Sequence, residues 1–72
     1  MRVEYFSSIR DFLEFLFWNE NMRNYVLVYK RLIVRYRDYA YAIWIFHDFL
    51  GNTLVIKYRK EEDKQLWIVA LI

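Results

Sequence analysis

Apolar positions recur along this chain with two different periods. Ile9, Phe12, Leu13 and Leu16 fall at i, i+3, i+4 and i+7, so they share one side of a helix. Phe15 and Phe17 widen that arc, and Arg10, Asp11 and Glu14 take the opposite side with Trp18 beside them. Ser8 followed by Asp11 is a start signal of the capping-box type, with Asp in place of the stronger Glu. The spacing predicts a helix over about residues 8–18. Asn19, Asn21 and Asn24 suit its exit, because Asn tolerates left-handed backbone.

From Tyr25 onward the pattern changes. Val26, Val28, Ile33, Val34, Tyr25, Tyr29 and Tyr36 are β-branched or aromatic, which favours strand over a helix carrying Lys30, Arg31 and Arg35. Gly51-Asn52 between two β-rich runs reads as a two-residue turn, since Gly supplies the positive φ that the turn needs. That turn sets Leu50 opposite Thr53, His47 opposite Ile56 and Trp44 opposite Arg59. A turn at Arg37-Asp38 sets Tyr36 opposite Tyr39 and Leu32 opposite Ile43. A tip centred on Glu62 sets Tyr58 opposite Leu66 and Ile56 opposite Ile68.

Side chains alternate faces along a strand. These registers therefore gather Val26, Val28, Leu32, Val34, Tyr36, Tyr39, Tyr41, Ile43, Ile45, His47, Phe49, Leu54, Ile56, Tyr58, Leu66, Ile68, Ala70 and Ile72 on one side as a core, with Lys30 as the exception. The expected fold is α+β: one N-terminal helix packed on a four-stranded antiparallel β-meander, in a single small domain over residues 1–72. A helix of about 11 residues spans only about 16 Å. Strands of about 10 residues span about 33 Å. The helix cannot cover such a sheet, so a second subunit or strong curling is expected to cover the rest.

Composition sharpens this picture. Of 72 residues, 58% are apolar and 22% aromatic, more than so small a body can enclose. Self-association as a homodimer is the simplest outlet. There is no cysteine or proline and a single glycine, which excludes disulfides and thiolate metal sites and disfavours disorder. The net charge of +2 is uneven: residues 25–38 alone carry four positive and one negative side chain. Arg2, Glu4 and Arg10 leave no apolar secretory segment at the start of the chain, and the longest uncharged apolar run, Tyr39 to Phe46, is far short of a membrane span. An intracellular, cytoplasmic protein with no membrane contact is the expectation. The abundance of Tyr, Ile and Arg without Cys or Pro resembles small proteins of heat-loving archaeal or viral genomes.

The side of the sheet opposite the expected core carries the functional argument. The registers align Arg31, Trp44 and Arg59 in one row and Tyr29, Phe46, Lys57 and Trp67 in the next, with Arg35 and Arg37 beyond. Rings interleaved with cations suit single-stranded nucleic acid, where bases stack and phosphates meet the charges. The same residue types are enriched at protein interfaces, and Leu27, Ile33, Val55, Val69 and Leu71 make that face apolar enough for one. Two readings follow: a small nucleic-acid-binding protein, or a protein-interaction module such as an adaptor or inhibitor. Both are non-enzymatic. His47 stands on the apolar face without partners at metal-ligand spacing, so neither metal nor cofactor is expected. Glu62-Asp63-Lys64 resembles the E-x-K half of a nuclease-type pattern, with Asp48 upstream; but Lys60-Glu61 precede it where that motif has apolar strand, and a solvated hairpin tip explains the same residues.

Overall fold

The computed structural model describes the whole chain except Asn19 and Arg37, with backbone only at Glu20, Asn21, Arg35 and Tyr36. Its elements are β1 (Arg2–Phe6), α1 (Ile9–Trp18), a 3-10 helix (Glu20–Asn24), β2 (Val26–Tyr36), β3 (Tyr39–His47), β4 (Thr53–Glu61) and β5 (Lys64–Leu71). The last four strands form the expected antiparallel meander. An unanticipated fifth strand, β1, pairs antiparallel with β5, giving the order β1-β5-β4-β3-β2. Val3, Tyr5 and Phe6 alternating with Arg2 and Glu4 are a strand signal too short to stand alone in the sequence.

Helix α1 begins where its cap predicts. The Phe12 N–H donates to the Ser8 carbonyl at 3.1 Å, and the Asp11 N–H reaches the Ser8 hydroxyl at a long 3.5 Å. Phe12 points into a core made with Leu54, Ile56, Trp67 and Val69. The Trp67 indole stacks on Phe12 with ring centres 5.7 Å apart and meets Tyr58 at 4.9 Å. Phe6 joins Phe12 and Phe15 at 6.2 and 5.2 Å. Ile9 and Leu13, expected inside, are half exposed at 55% and 52%. The helix leans on β1, β5 and β4 and leaves the far strands uncovered.

All three expected registers are off by an odd number of residues, the β2–β3 register over Tyr29 to Val34 and the other two throughout. An odd shift turns every side chain of a strand to the other face. Between β3 and β4 the partners are Trp44 with Ile56, Phe46 with Leu54 and His47 with Thr53. The connection is therefore a five-residue loop, Asp48 to Asn52, in place of the two-residue Gly51-Asn52 turn. The Asp48 carboxylate anchors that loop. One oxygen accepts the Leu50 N–H at 2.9 Å and the Asn52 N–H at 2.8 Å, and the other accepts the Asn52 side-chain amide at 2.9 Å. The Gly51 N–H closes the turn onto the Asp48 carbonyl at 3.3 Å, with Gly51 at φ +86°. Asp at the first and Gly at the fourth position is the signature of a type I turn.

Between β4 and β5, Tyr58 lies opposite Trp67 and Glu61 opposite Lys64. The tip is two residues, Glu62-Asp63, in place of three, and Glu62 takes a left-handed φ of 55°. Tyr36 does pair with Tyr39 as expected, but irregularities between Leu27 and Tyr29 and between Val34 and Tyr36 shift the rest, so Leu32 meets Ala42 in place of Ile43. No helix among the described residues is long and apolar enough to cross a membrane.

Candidate protein-contact face

The registers divide the sheet into two sides. On the side of α1 lie Phe6, Trp67, Val69, Leu71, Leu54, Ile56, Tyr58, Trp44, Phe46, Ala42, Leu32 and Val34. On the other side lie Val3, Tyr5, Ile68, Ala70, Val55, Lys57, Arg59, Tyr41, Ile43, Ile45, Tyr29, Arg31 and Ile33. No described element covers this second side, called here the open face. Its central row runs Arg31, Ile43, Lys57, Ile68, Tyr5, and the next runs Tyr29, Ile45, Val55, Ala70, Val3.

The nine residues expected to form one basic, aromatic face therefore separate. Tyr29, Arg31, Lys57 and Arg59 share the open face as expected. Trp44, Phe46 and Trp67 are on the helix side: Trp67 is buried, and Trp44 and Phe46 are half-buried against the core. Their rings are packing groups. The side chain of Arg35 and all of Arg37 lie outside the described residues. His47, expected among the core residues, is exposed on the open face at its rim, opposite Val26 and Thr53. Among the described residues no three His, Cys, Asp or Glu side chains come together to hold a metal.

Residues assigned to the core by the sequence now build the open face. Ile43, Ile45 and Ile68 are half-buried there. Tyr5, Tyr29 and Tyr41 expose 66%, 47% and 49% of their surface. The guanidinium of Arg59 pairs with Glu61 and lies over the Tyr41 ring, 5.8 Å from its centre. Glu61, first through its hydrogen bond and then through its charge, holds that guanidinium in the charged form. Arg31 and Lys57 are exposed and have no ion-pair partner among the described residues. The face thus combines an aliphatic centre, tyrosines and two uncompensated cations in one row.

The Asp48 loop stands at one end of this sheet. The hydrogen bond from the Asn52 side chain, with those from the backbone of Asn52, Leu50 and Gly51, keeps the Asp48 carboxyl below the usual range, against some desolvation. Burial, with the Asp48 charge as the lesser cause, raises the Tyr25 phenol. Phe49 and Leu50 project from the loop, 86% and 73% exposed.

No known family model matches the sequence, and neither a curated protein nor a solved structure is significantly similar to it.

Proposed function

We propose that this chain is a small non-enzymatic binding protein, a protein-interaction module that uses the open face of its sheet. The observation that carries the reading is the half-buried aliphatic centre, Ile43, Ile45, Val55 and Ile68, bordered by the exposed Tyr5, Tyr29 and Tyr41. An apolar centre with tyrosine and arginine at its margin is the make-up of a protein contact. Arg31 and Lys57 in the central row select a partner with acidic groups opposite them. A homodimer through this face stays within the proposal, with the long stems of Arg31 and Lys57 carrying their charges to the rim.

A photo-crosslinking side chain at Val55 tests it. Protein adducts, either a second copy or another chain, are the expected product. Adducts with nucleic acid alone, or none, would contradict the proposal.

A second reading, single-stranded nucleic acid on the same face, is favoured by Tyr29, Arg31, Lys57 and Arg59 lying together. It has lost the two indoles and the phenyl ring best suited to base stacking, which support the core. A labelled oligonucleotide bound at low salt, and released steeply as salt rises, would support this reading.

A further inference from the structure

The two edges of the sheet are unlike. β1 is five residues long and carries Arg2 and Glu4, which pair with each other at 2.9 Å. Short, charged edges resist pairing with another strand. β2 is eleven residues long and contains neither proline nor glycine. It is apolar and exposed on both sides: Leu32 and Val34 are 69% and 64% exposed on the helix side, beyond the reach of α1. Tyr29 and Ile33 are 47% and 36% exposed on the open face. From Tyr29 to Val34 its register with β3 is regular. In an antiparallel pair alternate residues turn their N–H and C=O groups away from the neighbour, so about three residues of this run present backbone groups outward. Lys30 and Arg31 stand side by side in that run, one on each side of the sheet, exposed and without an ion-pair partner among the described residues.

We infer that the β2 edge binds an extended strand of another protein, one with two adjacent acidic residues between apolar flanks. Such a strand adds to the sheet through main-chain hydrogen bonds. Its two acids alternate faces as Lys30 and Arg31 do, so each meets one cation, and its apolar flanks meet Tyr29, Leu32, Ile33 and Val34. A second copy of β2 brings the same positive pair to the junction, and like charges set opposite each other weaken a pairing. The edge shares Tyr29, Arg31 and Ile33 with the open face, but its test reads strand addition and does not depend on that face being a contact.

The probe is a fluorescein-labelled, end-capped peptide Thr-Val-Val-Glu-Glu-Val-Val-Thr, titrated with the whole protein and read by anisotropy. Its counterpart has Lys-Lys at the centre. The acidic peptide is expected to bind at least ten-fold more tightly than the basic one. The double variant Lys30→Glu, Arg31→Glu, checked as folded by circular dichroism, is expected to reverse that preference. Lys57→Glu, a charge change on the open face away from the edge, is expected to leave the preference in place. Equal binding of both peptides, or no binding, would overturn the inference. So would a disulfide-linked dimer formed readily by Leu32→Cys, because it would give the edge to a second copy.

Discussion

Two residues hold the turns on which the sheet registers depend. Glu62 keeps a φ of 55°, a conformation that costs a residue with a side chain roughly 1–2 kcal/mol and glycine almost nothing. Its N–H is held by the Asp38 carbonyl at 2.9 Å, which ties the β4–β5 tip to the turn between β2 and β3. Glu62→Gly is expected to stabilise the fold by roughly 0.5–1 kcal/mol, less than the strain because glycine also loosens the unfolded chain. Urea denaturation checks this as a rise in the midpoint. Asp48 couples its loop to pH. Its carboxyl is depressed in the folded protein, so the stability it contributes is present above the ordinary carboxylate range and is lost as pH falls through the depressed value. Asp48→Asn is expected to be less stable than the parent at neutral pH, and to lose less on acidification below about pH 4. Thermal melts of both proteins at neutral and acidic pH measure the difference. Parallel slopes would remove Asp48 from this role.

The helix and the four strands of the meander were legible in the sequence; β1 and the faces of the strands were not. Helix α1 announces itself through Ser8 and the i, i+3, i+4, i+7 spacing of its apolar residues, and β2 through its β-branched and aromatic content. Face assignment needs a polar residue on one side of each strand. β3 runs Tyr39 to Phe46 without a charge, and β5 is apolar at every position from Leu66 to Leu71, so either register satisfies the hydrophobic pattern. The decisive signal in the β3–β4 connection was Asp48 three residues before Gly51, which marks a longer loop than Gly51-Asn52 alone. At the candidate site, Tyr29, Arg31, Lys57 and Arg59 were placed together correctly, while Trp44, Phe46 and Trp67 went with the wrong face. Trp67→Ala removes the ring between Phe12 and Tyr58 and is expected to cost about 3–5 kcal/mol, comparable to the whole stability of a small domain. Circular dichroism would then report a largely unfolded chain. Lys57→Ala, on the open face, is expected to melt with the parent.

At the scale of the whole molecule, one short helix serves a sheet that has two faces and two edges. The body measures 39 × 23 × 19 Å, and large apolar side chains stay exposed along β2, on the outer side of α1 and at the Asp48 loop. That surplus is the reason to read the chain as a partner in an assembly. If a second copy takes the open face, light scattering gives twice the chain mass for the parent, and Ile43→Lys, at the centre of the face, returns the monomer with its fold intact. A monomeric parent leaves the face to another protein, as do unchanged masses for both chains. All of this rests on which side chains share a face. A NOESY spectrum reads that directly from cross-strand contacts. The expected result is backbone contacts of Trp44 with Ile56 and of Tyr58 with Trp67, together with contacts between the Trp67 and Phe12 rings. Backbone contacts of Trp44 with Arg59 and of Tyr58 with Leu66 would contradict it.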